Sequence, residues 1–120
     1  MAGQNRFQKF VAETKEHVRE LSPEEAAERQ KGGALLVDVR EAEEFARGHA
    51  AGAQHLSRGV LELKIEEAAP DPTKPIVCYC GGGSRSALAA DSLQKMGYRE
   101  VYSVSGGFKA WKEAGLPIAE

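Results

Sequence analysis

The sequence is short of several things, and each shortage excludes a class of protein. Two cysteines among 120 residues, Cys78 and Cys80, are too few for a disulfide scaffold. One residue apart on an extended chain, they point to the same face in poor geometry for a bridge. No apolar run approaches the roughly 20 residues that span a bilayer. Met1–Phe10 is too polar for a secretory leader, so we expect a protein without membrane contact, in a reducing cytoplasm. Excess charge is missing as well. Sixteen Lys and Arg against 18 Asp and Glu leave a formal −2 at pH 7, with no positive field to gather a phosphate backbone. Nucleic acid is therefore not an expected partner. The three histidines, His17, His49 and His55, lack the paired spacing with the cysteines that a zinc site needs, and no metal is expected.

What remains is an ordinary folded composition, 42% hydrophobic and 28% charged, at a length that fits one domain able to bury its own core. Phe7, Phe10, Val11, Val18 and Leu21 recur near helical spacing and predict one amphipathic helix over residues 1–21. Such a helix packs against the domain or serves as a contact for a partner. Ser22-Pro23-Glu24-Glu25 combines an N-cap serine, a proline at the first helical position and a capping-box glutamate, and Gly32-Gly33 ends the helix it starts. Residues 34–39, 76–80 and 100–104 are short apolar runs, as expected of strands buried on both faces. Helices are expected over 41–47, 60–68 and 85–96, with a short one from Gly106-Gly107 through Trp111. Strands alternating with helices imply an α/β fold with a central parallel sheet covered on both sides.

In such sheets, ligand sites lie beyond the carboxyl ends of the strands. Cys80 ends one of the strands and Gly81-Gly82-Gly83-Ser84 follows it directly, ahead of a helix. Glycines let the backbone curl so that several N–H groups face one concavity, and the helix dipole and Arg85 add positive potential there. A thiol in that nest has a lowered pKa and becomes a nucleophilic thiolate. The competing reading, a phosphate-binding turn, lacks the Gly-Lys-Ser/Thr of a P-loop. Cys78, inside the strand, is expected to be a buried inert thiol, with redox back-up to Cys80 as the alternative. His49 and His55 are read as structural hydrogen-bonding residues.

Asp38-Val39-Arg40-Glu41, Glu44-Phe45, Gly48-His49, Gly52-Ala53, Cys80 through Ser86 and Gly106-Gly107-Phe108-Lys109-Ala110-Trp111 follow one another in order. In this the chain resembles a single-domain rhodanese, over about Ser22 to Pro117. The resemblance implies a three-layer α/β fold with a central parallel sheet flanked by helices, a rhodanese domain over residues 22–118 and an extra N-terminal helix. It implies a thiosulfate-type sulfurtransferase. Cys80 would take a sulfane sulfur from thiosulfate or a related small donor and pass it to a thiol, cyanide or a thioredoxin-like acceptor. No cofactor beyond the covalent persulfide is implied. Gly81, Gly82, Gly83, Ser84, Arg85 and Ser86 would bind the persulfide anion, and Asp38 and Arg40 would tie nearby loops together. Arg58 falls where relatives often place a substrate-facing arginine, an exposed surface arginine being the alternative. Phe108 and Trp111 are read as core.

Two other functions stay open: a non-enzymatic persulfide carrier or partner-binding module, and a dual-specificity phosphatase of the same fold. The phosphatases resemble C-x(5)-R, whereas Arg85 follows Cys80 as C-x(4)-R. His49-Ala50-Ala51-Gly52 departs from the family's more usual His-Ile-Pro-Gly, which bears on the packing of that turn. The glycine loop lacks the basic side chains of vertebrate-type thiosulfate enzymes, and it matches the Cys-Gly-Ser-Gly-Val-Thr of mercaptopyruvate enzymes only at its start. It leaves an accessible persulfide suited to a bulky thiol or a protein acceptor.

Overall fold

The three apolar runs become the three central strands of one sheet. The computed structural model describes residues 3–120. Along the chain run α1 (Arg6–Lys15), β1 (Arg19–Leu21), α2 (Pro23–Lys31), β2 (Leu35–Asp38), α3 (Ala42–Arg47), β3 (His49–Ala50) and β4 (Gln54–His55). They are followed by α4 (Leu61–Ala68), β5 (Ile76–Tyr79), α5 (Ser84–Lys95), β6 (Val101–Val104), α6 (Gly107–Glu113) and β7 (Ile118–Ala119). The main sheet has the order β1-β6-β5-β2-β4, with every neighbouring pair parallel. β3 and β7 form a separate antiparallel ribbon.

Alternation along the strands divides the core in two. Val37, Val39, Ile76, Cys78, Cys80 and Val101 face Leu61 and Ile65 of α4 and Ala89, Ala90 and Leu93 of α5. Leu36, Val77, Tyr79, Tyr102 and Val104 face Ala26 and Ala27 of α2 and Phe108 and Trp111 of α6. Both cysteines lie on the same face, as their spacing predicts, and both are free thiols. Phe108 and Trp111 are core residues.

The capping box at α2 forms as read. Ser22 Oγ accepts from the Glu25 N–H at 3.1 Å, and the Glu25 carboxylate accepts from the Ser22 N–H at 2.9 Å. Such a cap is worth about 1 kcal/mol.

The N-terminal reading needs correction. Met1 and Ala2 lie outside the described residues, and the single helix expected to Leu21 stops at Lys15. The chain then turns so that Arg19–Leu21 pairs with β6 as the sheet's edge strand. Val18 and Leu21, three apart, fit a helix by spacing alone, yet they enter opposite halves of the core. The free hydrogen-bonding edge of β6 decides the matter. Nor do Phe7 and Phe10 belong to the buried stripe: α1 buries Val11 and Thr14 and leaves the two phenylalanines half exposed.

No helix among the described residues is long and apolar enough to cross a membrane.

Candidate active site

β2, β5 and β6 are parallel, so their carboxyl ends deliver Asp38, Cys80 and the Gly106-Gly107 junction to one side of the sheet. β5 ends at Tyr79, one residue earlier than expected, which places Cys80 as the first residue of the loop and Ser84 as the first of α5. Gly83, at φ +107°, is the N-cap of α5. Its N–H donates to the Cys80 sulfur at 3.1 Å, and its left-handed φ, which glycine adopts without strain, turns the chain from the loop into the helix. The sulfur also lies 3.5 Å from Ser86 Oγ. Burial would push the Cys80 thiol up. The Ser86 hydroxyl and the backbone N–H groups of Ser86, Gly83 and Gly82 outweigh that, and the thiol sits below its ordinary value.

Cys78 has no such donors. It is fully buried, and burial pushes its thiol up to about 12. At pH 8, iodoacetamide is therefore expected to label Cys80 and spare Cys78 in the folded protein, and to label both in urea. Peptide mass spectrometry checks this; comparable native labelling of Cys78 would refute its inertness.

Carbonyls of the loop are turned away from the sulfur and held from the other side. Cys80 O accepts from the Phe108 N–H at 2.7 Å, and Gly81 O accepts from the Lys109 N–H at 3.3 Å. The start of α6 thus binds the loop's carbonyls while the loop's N–H groups face the thiol. The approach needs glycine at 107. Its φ is +58°, and a Cβ there would run into Cys80 O and lie 2.7 Å from both Gly81 C and Gly81 O. Gly107→Ala is expected to cost at least about 1–3 kcal/mol of stability and to slow Cys80 alkylation together with it. Thermal melts and labelling rates measure the two effects; a wild-type melt would refute the clash.

Arg85 lies over the loop. Its guanidinium donates to Glu44 of α3 at 2.8 and 3.2 Å, and Nη2 is 3.2 Å from where a Cβ on Gly81 would sit. Glu44 first, and then the Cys80 sulfur, hold the guanidinium more firmly protonated. Reciprocally, Arg85 draws the Glu44 carboxyl down to about 2 from an ordinary 4.5. A depressed carboxyl stabilises the fold above its unfolded value and loses that contribution as pH falls through about 2. Glu44→Gln should therefore flatten the acid limb of stability between about pH 4.5 and 2 in urea titrations, and the difference should shrink with salt because the pair is one-third exposed.

Behind the loop, Asp38 is fully buried and Arg40 nearly so. Asp38 Oδ2 accepts from Arg40 Nη2 at 2.8 Å and from the Tyr79 hydroxyl at 2.6 Å, and Oδ1 accepts from the Arg40 N–H at 2.9 Å. Arg40 Nη2 also donates to Gly48 O at 2.7 Å, and the guanidinium stacks 4.5 Å over the Phe108 ring. Tyr79 Oη accepts from the Ala50 N–H at 3.0 Å. One ion pair thus binds β2, β5, β3 and α6 together. The turn that departs from His-Ile-Pro-Gly is packed within this arrangement: Ala50 is fully buried, and Ala51 O accepts from Gln30 Nε2. Phe45 stacks between the rings of His49 and His55, and His55 Nε2 meets Arg40 O at 2.8 Å.

The sequence-predicted residues are not all brought together. Gly81 to Ser86, Asp38 and Arg40 surround the Cys80 loop. Arg58 instead pairs with Glu62 at 2.6 Å, and Glu62 also accepts from Ser92 at 2.6 Å. Tyr79, Ser103 and the Gly107 contact escaped sequence reading, because each acts on the loop through a partner remote along the chain. The Gly106-Gly107 doublet was the one visible signal.

Fold and site together define an α/β domain that holds a single activated thiol in a nest of amides at a strand's end. The model of the rhodanese-like domain matches residues 22–114. Thiosulfate sulfurtransferase GlpE of Pseudomonas putida is 42% identical over 95 residues, covering 78% of this chain and 84% of the relative. Among solved structures, the 30 kDa polysulfide-sulfur transferase homodimer of Wolinella succinogenes superposes with a TM-score of 0.81 at 33% identity, over 94% of this chain and 86% of that one. A Rhodopseudomonas palustris protein of unknown function, described as a possible tyrosine phosphatase, gives 0.83 at 34% identity over 99% of this chain and 98% of its own. The chain belongs to the rhodanese-like family.

Proposed function

We propose that this protein is a sulfurtransferase that carries sulfane sulfur as a persulfide on Cys80. The observation that carries the reading is the Cys80 nest, where a thiol is held below its ordinary value by directed N–H and O–H donors although it is buried. Thiosulfate sulfurtransferases and a polysulfide-sulfur transferase among the relatives support it.

With thiosulfate as donor, the Cys80 thiolate attacks the outer sulfur. The new S–S bond forms as the donor's S–S bond breaks, and sulfite leaves with the electron pair. Cyanide or a thiolate then attacks the terminal sulfur and restores the Cys80 thiolate. The N–H groups of Gly82, Gly83 and Ser86 stabilise the sulfur anion in both states, and the Ser86 hydroxyl adds to them. Arg85, held by Glu44, contributes positive charge above the loop, and Asp38 and Arg40 keep the loop's backing rigid. Gly82 supports a large acceptor, since nothing lies within 4 Å of where its Cβ would be. Arg58 is held by Glu62 much as Arg85 is held by Glu44, and its charge is felt at Cys78, which supports a contribution to the positive potential that meets an anionic donor. We take the catalytic unit as residues 22–118 completed by Arg19–Leu21, the edge strand whose Leu21 and preceding Val18 enter the core, with α1 ahead of them. Two free thiols, one of them the working nucleophile, favour a reducing cytoplasm.

Mass spectrometry after exposure to thiosulfate is expected to show one added sulfur on Cys80, removed by cyanide. No adduct with thiosulfate, polysulfide or other sulfane donors would overturn the reading. The phosphatase alternative predicts hydrolysis of an aryl phosphate that is lost in Cys80→Ser. The C-x(4)-R loop, one residue shorter than the phosphatase pattern, argues against it.

A further inference from the structure

Ser103 is a polar residue that packing does not explain. It is fully buried in the central strand β6 among Val101, Tyr102 and Val104, where alanine would bury no polar group at all. Alternation puts it on the same face as Val101, beneath α5, and it pairs in register with Cys78. There its Oγ lies 2.7 Å from Ser86 Oγ, which in turn lies 3.5 Å from the Cys80 sulfur. Three side chains, from the loop after β5, from α5 and from β6, thus form a line ending at the nucleophile.

Proton counting gives the line a direction. A thiolate can only accept, so Ser86 must donate its single hydroxyl proton to the sulfur. The Ser86 oxygen is then left as an acceptor, and the neighbouring Ser103 hydroxyl becomes its donor. With the thiol, the order reverses: sulfur donates to Ser86 Oγ, and Ser86 is free to donate to Ser103. Without Ser103, the Ser86 hydroxyl can rotate away from the sulfur toward the Gly82 or Gly83 carbonyl, three or four residues back, as serines in helices do.

We propose that Ser103 is a positioning residue for the reaction: it donates to Ser86 Oγ and thereby holds the Ser86 proton on the Cys80 sulfur. The inference rests on Cys80 being the nucleophile of the proposed function. Other charged or titratable groups around the sulfur are Arg85 on α5, paired with Glu44 of α3, Arg58 ahead of α4, paired with Glu62, and un-ionised Cys78 on β5. α6 reaches the loop by backbone N–H groups, and Asp38 of β2 is neutralised by Arg40. The Ser103 hydroxyl hydrogen-bonds to Ser86 and to none of these charges, so its removal should act through Ser86 alone.

The test is the pH profile of Cys80 alkylation by iodoacetamide, which needs no sulfur donor and is therefore scored separately from sulfur transfer. Ser103→Ala is expected to slow alkylation about three- to tenfold at neutral pH, the worth of one hydrogen bond. Its profile should move to higher pH, and its rate should converge with the wild type once the thiol is fully ionised. In a Ser86→Ala background the same substitution should change nothing. Should Ser103→Ala fail to fold, Ser103→Cys, similar in size with a weaker donor, carries the same comparison. An unmoved profile, an equal slowing at every pH, or an undiminished shift without the Ser86 hydroxyl would each overturn the proposal. Absence of a persulfide on wild-type Cys80, with the alkylation shift of Ser103→Ala intact, would refute the proposed function and leave the positioning of Ser86 by Ser103 standing.

Discussion

Cys80→Ala is expected to abolish sulfur transfer from thiosulfate to cyanide, lowering turnover by roughly 10⁴-fold or more, as removal of a covalent nucleophile does. The size of the loss follows from the chemistry. In the proposed reaction the transferred atom is bound to Cys80 Sγ between the two half-reactions, and Cys78, the other thiol, cannot substitute. It is fully buried within β5 and its thiol is pushed up to about 12, so essentially none is ionised at neutral pH. The fold should be nearly unaffected, because alanine keeps the Cβ and the loop carbonyls remain bound to α6. Thiocyanate formation, with a thermal melt as control, measures the outcome. Residual turnover above about 1% of the wild type would mean that sulfur passes without the Cys80 persulfide.

The second large effect concerns stability. Asp38→Ala should lower the unfolding free energy by about 3–5 kcal/mol, the range for breaking a buried ion pair from one side. The substitution leaves Arg40 charged in a site with little solvent, with Gly48 O and the faces of Phe108 and Tyr79 as remaining partners, and it takes from the Tyr79 hydroxyl the carboxylate to which it donates. Burial works to lower the Arg40 pKa, but the hydrogen bonds and charge of Asp38 raise it above its ordinary value, so the guanidinium leans on this carboxylate. Asp38→Asn, which keeps acceptor and shape but not charge, should cost less. Urea unfolding of both variants separates charge from shape. An Asp38→Ala loss below about 1 kcal/mol would show that the pair is dispensable. Because the same pair backs the Cys80 loop through Phe108 and Tyr79, Asp38→Ala should slow Cys80 alkylation even where the protein is folded.

The legible part of the fold was the part with local signals. The runs at 34–39, 76–80 and 100–104 were apolar on both faces and bounded by turn residues, and they became β2, β5 and β6 within a residue or two. The capping box at Ser22 and the glycines after α2, α3 and α5 marked helix ends as read. β1, β3, β4 and β7 were missed. Two or three residues carry no periodicity, and each of these strands exists because a longer or remote segment offers it hydrogen-bonding partners. The N-terminal helix was overextended for the same reason, with Val18 and Leu21 compatible with either structure until β6 recruited the segment.

At the site, the sequence by itself determined where the proposed nucleophile and its nest of amides lie. A thiol ending a buried strand, three glycines and a helix start act within seven residues, a distance over which backbone geometry follows from residue type. Only the tertiary structure decided what braces that nest: α6 binding the loop's carbonyls across Gly107, Glu44 holding Arg85, Tyr79 completing the Asp38 pair, and Ser103 reaching Ser86. Each of these contacts joins residues 17 to 41 positions apart. No local pattern encodes them, because they arise only when parallel strands bring their carboxyl ends to one side of the sheet.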